Sequence, residues 1–402
     1  MRLNAIFLFR TIKTRTLTKM NIFKKDAPMI LDSGPVSSDT VMRAACYRQH
    51  GDENVIEITD RLKRPHIADN QILIKVYAAG LNPVDVKLRE NSLPGIFLPL
   101  PKIIGSDVCG VVIEVGKKAS DKFRIGDRVM AMMPHVFSGW GSACEYAAVD
   151  ENIVTRAPTN ITAVEAASLP LISLTVLQSF ESFVSQHNNA TTGLSALIQA
   201  GAGGLGSFAI QYCKHHLHMK VYTTCSANNA DFCRSLGADV VINYATEKFE
   251  DVALGMDVVF DPMAYMYEER TFRSKVLKNR GSTYIHIASS YHAPNPLYTD
   301  PLRVGIPEGA PHRIALGYTY TYARAGLNLL GLPFARYVYH FVHPDGKKLR
   351  EVAQFIQNKE IRPIVSSENI FPLSQTAEAN IKLRQGHIRG KIVLTVTPEP
   401  ER

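Results

Sequence analysis

From residue 42 to about residue 149 the chain alternates apolar and polar positions with the period of two that suits half-buried strands. The runs 71–77 (QILIKVY) and 108–115 (VCGVVIEV) are rich in β-branched residues, and Gly and Asp turns separate such runs, as at Ile125-Gly126-Asp127-Arg128-Val129. This half is predicted to be a compact β-rich barrel. Near Asn160 the pattern changes. Thr162 followed three residues later by Glu165 is the capping-box signature of a helix start, and residues 171–184 read as a second helical stretch. Short apolar runs at 194–200, 220–225, 239–243, 257–261 and 283–288 then alternate with helical segments. Repeated βα units of this length imply a parallel sheet with helices on both faces. A helix over 348–358 precedes strand-like pieces at 361–365 and 392–396, which by periodicity alone could extend either half.

At 402 residues with 46% hydrophobic residues the chain can bury two cores. Its formal charge of +8 is unevenly placed. Arg2, Arg10, Lys13, Arg15, Lys19, Lys24 and Lys25 fall in the first 25 residues, which hold no acid, and this leaves about +1 for the remainder. The body is therefore not a nucleic-acid-binding surface. The opening MRLNAIFLFRTIKTRTLTKM alternates apolar and basic residues and carries several Thr, the pattern of a mitochondrial presequence, here directing the protein to the matrix. Its apolar run is short, is broken by Asn4 and is followed by no small-residue cleavage site, which disfavours a secretory signal. Residues 26–40 read as a connector. The six cysteines are scattered without a CxxC pair, so reduced thiols are expected. No stretch reaches 18 uninterrupted apolar residues, so no spanning helix is predicted.

The sharpest chemical signal is Gly201-Ala202-Gly203-Gly204-Leu205-Gly206, which directly follows the apolar run SALIQA and opens a predicted helix. In such a loop one glycine makes a tight turn, the next lets the backbone approach a pyrophosphate, and the last lets helix and strand pack closely. The pyrophosphate then meets the N–H groups of the helix N-terminus. An acid at the end of the next strand would bind a ribose 2′-hydroxyl and repel a 2′-phosphate. This chain has Cys225-Ser226-Ala227-Asn228-Asn229 there and no acid from 221 to 230. NADPH is thus favoured over NADH, with Ser226 and Tyr244 as candidate phosphate contacts. No Lys or Arg lies close in sequence before Arg234.

Further motifs join this loop in order along the chain: Ala79-Gly80-Leu81-Asn82-Pro83-Val84-Asp85, Ile104-Gly105-Ser106-Asp107-Val108-Cys109-Gly110, Gly126-Asp127-Arg128-Val129, Leu169-Pro170-Leu171-Ile172-Ser173-Leu174-Thr175 and Arg389-Gly390-Lys391. With them the chain resembles the medium-chain dehydrogenase/reductase superfamily, in its quinone oxidoreductase branch, over about residues 42–396. The resemblance implies an α/β fold with a GroES-like catalytic domain over 41–165 and 346–402. A Rossmann dinucleotide-binding domain would occupy 166–345, after a targeting segment and linker at 1–40. The ending from Lys359 to Lys391 is similar to the reticulon-interacting mitochondrial oxidoreductases. That subgroup implies NADPH use, support of ubiquinone biosynthesis and contact with proteins of that process.

Zinc-dependent members carry a Cys where Asn82 stands and His-Glu where Ser106-Asp107 stand, because a catalytic zinc needs three protein ligands and an open position. The four-cysteine structural lobe is missing as well, so no zinc is expected. His215, His216 and His218 sit at a helix C-terminus, where His more often faces solvent or complements the helix dipole. By resemblance, Asn82 and Asp85 lie at the substrate mouth. Thr175 and residues 169–174 border the nicotinamide, Gly201, Gly203, Gly204, Leu205 and Gly206 cradle the phosphates, and Arg389 and Lys391 approach the cofactor. Solvent, Lys87 or a tyrosine would give the proton. The chain departs from the pattern at 87–94 (KLRENSLP), which lacks an aromatic, and at Pro262-Met263-Ala264-Tyr265, where glycines are usual. Asn82 also reads as a turn-former before Pro83.

The expected reaction is metal-free hydride transfer to a quinone or conjugated carbonyl. The alternatives are a non-catalytic or weakly catalytic partner-binding protein on the same fold and an enoyl-thioester reductase. The apolar stretch 325–342 (AGLNLLGLPFARYVYHFV) reads as a buried helix pair or homodimer surface, or else as a lid for an isoprenoid quinone or a peripheral membrane contact.

Overall fold

The computed structural model describes residues 27–31, 37, 39–91, 98–134, 138–263, 266–278, 281–287 and 335–400. The basic opening segment, part of the connector and residues 325–334 of the apolar stretch lie outside the described residues.

The first half is organised around β3 (Gln71–Leu81), which is long enough to pair along its whole length. On one side it runs antiparallel to β5 (Asp107–Val115), and the sheet continues through β6 (Arg128–Met132) to β8 (Val154–Arg156). On its other side its first half pairs with β7 (Tyr146–Asp150) and its second half with β16 (Ile392–Thr395), so the end of the chain closes this sheet. Beyond β16 lies β15 (Ile370–Pro372). A three-stranded sheet of β2 (Glu57–Lys63), β1 (Val41–Tyr47) and β4 (Lys102–Ile103) packs nearby. Its β2 edge takes up the chain before it, where Lys63 N donates to Met29 O and Leu31 N to Arg61 O. The capping box forms as its residue spacing predicts: Thr162 N donates to Glu165 Oε2 at 2.8 Å and Glu165 N to Thr162 Oγ1 at 3.2 Å. It starts α2 (Ala163–Ala167), whose Ala167 carbonyl lies so close to β3 that a Cβ on Gly80 would approach it to 2.3 Å.

The second half is a six-stranded, wholly parallel sheet. Its order is β11 (Val240–Asn243), β10 (Lys220–Cys225), β9 (Ser195–Ile198), β12 (Val258–Asp261), β13 (Thr283–Ile287) and β14 (Arg336–His340). The chain leaves β9 toward one edge, then returns and continues from β12 toward the other. The strand order therefore reverses between β9 and β12, the place where doubly wound sheets bind ligands. The long helix α3 (Pro170–Gln186) packs its buried face here, with Phe180 in ring contact with Phe183, Tyr212 and Phe260. Burying each such ring contributes roughly 2 kcal/mol.

Residues 336–340, expected within a helix pair or dimer surface, form a strand. Tyr337 and Val338 pair in register with Tyr284 and Ile285, and the aromatic and β-branched side chains suit a pleated surface better than a helix. The piece at 361–365 forms no strand and makes only the bridge from Val365 to Gly390.

Candidate active site

The chain emerges from β9 and turns at Ala200, whose φ of 56° lies in the left-handed region, one residue ahead of the glycine expected to make the tight turn. Gly201 and Gly206 are fixed by packing. A Cβ on Gly201 would lie 2.1 Å from Thr223 Oγ1 of β10, and one on Gly206 would lie 2.2 Å from Ala200 O. Among the described residues a Cβ on Gly203 would meet only Ala200 O, at 3.4 Å, so nothing else described crowds that side. Helix α4 (Gly204–Gln211) starts immediately afterwards, with Leu205 in its first turn. The leading N–H groups of a helix have no intrahelical acceptor, and the helix dipole makes this end positive.

The segment 389–391 docks on that loop. Gly390 N donates to Ala202 O at 2.9 Å, and the left-handed φ of Gly390 (72°) sends its two neighbours to opposite sides. On one side, Arg389 is exposed and anchored. Its Nε donates to Asn229 Oδ1 at 2.9 Å, its Nη2 to Asn228 O at 3.3 Å, and its guanidinium lies 4.9 Å from the centre of the Phe232 ring. Asn229 Nδ2 in turn donates to Ser226 Oγ at 3.0 Å. Tyr244 follows β11, its N bonded to Cys225 O, with its ring half exposed. Ser226, Tyr244 and Arg389 thus gather at the ends of β10 and β11. The cation that local sequence lacked arrives from about 160 residues away.

On the other side Lys391 is buried. Its Nζ donates to Leu81 O and to Asn82 Oδ1, both at 2.5 Å, and lies 3.6 Å from Asp107 Oδ2. Asn82 Nδ2 donates to Asp107 Oδ2 at 2.9 Å, while Asp107 Oδ1 accepts from Leu171 N at the head of α3. Asn82 precedes α1 (Pro83–Arg89), and its N donates to Asp85 Oδ2; Ser106 Oγ donates to Asp85 Oδ1. Burial pushes Asp107 up to about 6, against the opposing pull of Lys391 and Asn82. It likewise raises Asp85 and lowers Lys391.

Lys87, on α1, is 2% exposed, and its Nζ has no hydrogen-bond partner among the described residues. Burial draws its ammonium down to about 7. The Thr175 hydroxyl donates to Leu171 O one turn earlier in α3. Sequence reasoning passed over Lys102, whose buried Nζ donates to Ser138 O and Trp140 O. It also missed Asn229, for which the Asn pair after β10 was the available signal. Asp261, in the stretch that departs from the family pattern, accepts from Met263 N and from Tyr284 Oη; residues 264 and 265 lie outside the described residues. His216 stacks on Tyr212, with ring centres 5.2 Å apart, and against Phe355 at 4.5 Å. Among the described residues, no group of three or more His, Cys, Asp and Glu side chains is placed to hold a metal.

Residues 68–159 match the alcohol dehydrogenase GroES-like domain, and residues 236–394 match the family described as zinc-binding dehydrogenase. The NADPH-dependent alkenal/one oxidoreductase, chloroplastic, of Arabidopsis thaliana is 33% identical over 362 residues, which span 89% of this chain and 80% of that protein. The human mitochondrial NAD(P)H oxidoreductase RTN4IP1 is 30% identical over 379 residues, spanning 89% of this chain and 90% of the relative. Among solved structures, the quinone oxidoreductase from Coxiella burnetii superposes with a TM-score of 0.70 at 26% identity, over 89% of this chain and all of the other.

Proposed function

The chain belongs to the medium-chain dehydrogenase/reductase superfamily, among its quinone oxidoreductase-like members, and from that premise we propose that it is an NADPH-dependent reductase of quinones or conjugated carbonyls that needs no catalytic zinc. The observation that carries this reading is the pairing of the glycine loop at the switch point with Arg389 held beside Ser226.

The uncrowded side of Gly203 and the positive end of α4 suit a pyrophosphate. Ser226, Tyr244 and Arg389 suit a 2′-phosphate, because a guanidinium binds phosphate through short, charge-assisted bonds. NADH would leave Arg389 without that partner. Once bound, NADPH would supply a hydride to the acceptor. The chain does the rest largely by positioning. Leu169 to Leu174 and Thr175 border the nicotinamide, and Asn82 and Asp85 stand at the acceptor's mouth. Solvent, Lys87 or a tyrosine gives up the proton, and Lys87 is the candidate whose ammonium burial draws down to about 7.

The donors at the metal position do not suit zinc. Asn82, Ser106 and Asp107 offer one carboxylate, and the Lys391 ammonium lies 3.6 Å from it, where it would repel a cation. The matched stretch 236–394 contains none of these three residues. The names of the Arabidopsis and human relatives support an alkenal or NAD(P)H-linked reduction. Because relatives named chloroplastic exist as well, the basic opening segment favours mitochondria more than the likeness does. A ubiquinone-type acceptor fits that setting.

Titration calorimetry with NADPH, followed by turnover with a panel of quinones and alkenals, tests the reading. Saturable NADPH binding and acceptor-dependent oxidation are expected. A protein that binds no NADPH, with or without acceptor, ends it.

A further inference from the structure

We propose that Lys391 is a positioning residue whose ammonium fixes the direction of the Asn82 carboxamide, so that the one amide hydrogen left over donates to the carbonyl oxygen of the acceptor. The inference rests on the reading of this site as a quinone or enone reductase.

Hydrogens and lone pairs decide which atoms can face which. An ammonium has three hydrogens and no lone pair, so the Asn82 atom 2.5 Å from Lys391 Nζ must be the oxygen. An ionised carboxylate only accepts, so the Asn82 atom 2.9 Å from Asp107 must be the nitrogen. Both ends of the carboxamide are therefore pinned. Flipping it would set an amide NH2 against the ammonium and a carbonyl against the carboxylate, with two charge-assisted bonds lost. Nδ2 carries two hydrogens. Asp107 takes one, and the other has no acceptor among the described residues, although Asn82 is 1% exposed. A buried donor held in one direction is what an oxygen gaining charge during hydride transfer requires.

Lys391 itself has little left to offer a cofactor. Two of its hydrogens go to Leu81 O and Asn82 Oδ1, and the carboxylate of Asp107 stands 3.6 Å away on the remaining side. Its stem also explains Gly204. A Cβ on that glycine would lie 2.9 Å from Lys391 Cδ and 3.3 Å from Cγ, so any larger residue would push the stem and, with it, the ammonium. Because the same segment bonds Ala202 through Gly390, the glycine loop and Asn82 share one support.

Lys391→Met keeps the stem and removes the ammonium. The expected result is a kcat about 10- to 100-fold lower with quinone or alkenal acceptors, the range that a misplaced site group costs. NADPH Kd, read by calorimetry, should stay within about threefold. On an Asn82→Ala background the same change should lower kcat by less than about threefold further, because residues acting as a unit are not additive. Should Lys391→Met fail to fold, Lys391→Gln keeps a polar donor for Leu81 O and removes the charge; it too should lower kcat more than NADPH affinity. A variant of either kind whose NADPH Kd rises more than about tenfold while kcat holds would make Lys391 a cofactor ligand and overturn the inference. Fully multiplicative losses in the double variant would overturn it as well. Both failures leave the wild-type reductase reading standing. A wild-type protein that oxidises NADPH with no quinone or enone removes that reading and the inference together.

Discussion

Lys87 is retained at a cost that can be measured. The side chain is 2% exposed with its Nζ unpartnered among the described residues, and burial lowers its proton affinity from the ordinary 10.5 to about 7. At about 1.4 kcal/mol per tenfold change in affinity, the interior disfavours this ammonium by roughly 5 kcal/mol. Because the folded value is the lower one, the unfolded chain binds more protons between pH 7 and 10.5, so stability rises with pH across that window. Below about pH 7 both states are protonated and the full cost is present. Lys87→Met keeps the length of the side chain and removes the charge. At pH 6 the variant should be more stable than the parent by about 2–4 kcal/mol, in the range seen when buried ions are replaced by apolar isosteres. The gap should close toward pH 10. Urea denaturation followed by circular dichroism at several pH values reads this difference. Lys102, drawn down to about 8, is common to both proteins and cancels. In turnover assays the parent's kcat should fall as pH rises through about 7, and the variant should lose that limb. A variant no more stable than the parent at pH 6, or a gap that does not change with pH, would mean that the ammonium is solvated or paired.

Other consequences follow from the same geometry. Arg389→Gln should weaken NADPH binding about 10- to 100-fold, from the roughly 1.5–3 kcal/mol that a charged hydrogen bond contributes, and change NADH binding less than threefold by calorimetry. Gly206→Ala places a Cβ 2.2 Å from Ala200 O, so thermal melting should report about 1–3 kcal/mol of lost stability from overpacking. Deleting residues 1–31 should lower the melting temperature relative to deleting 1–26, because it removes the backbone bonds of Met29 and Leu31 to the β2 edge, worth roughly 1 kcal/mol each.

The fold class was legible because it is written in local periods. The alternation over 71–77 became the first part of β3, and the runs after residue 194 became β9 to β13 within a residue or two at each end. Edge strand β14 was not legible. Its residues close an apolar stretch that Pro333 and Arg336 interrupt, and only pairing with β13 decides between strand and helix. At the candidate site the glycine loop was visible since its spacing is local, but its partners were not. Arg389 reaches Asn229 across 160 residues and Lys391 reaches Asn82 across 309. Motif likeness had brought both cations toward the cofactor. It could not reveal that Gly390 turns them to opposite sides, one exposed beside Ser226 and one buried against Asp107. Nor does any local pattern announce that Lys87, on a helix of mixed polarity, is buried without a partner among the described residues.

Selection of NADPH and turnover without a metal stand at the centre of the proposed function. Its most direct test is steady-state oxidation of NADPH and NADH by chelator-treated protein, with a ubiquinone analogue, an alkenal and a trans-2-enoyl thioester assayed in parallel. The predicted result is a kcat/KM at least about tenfold higher with NADPH, from the charged contact to Arg389, with quinone or alkenal preferred and chelation without effect. Turnover that vanishes on chelation and returns with zinc, or no oxidation of either nucleotide by any of the three acceptors, would contradict it.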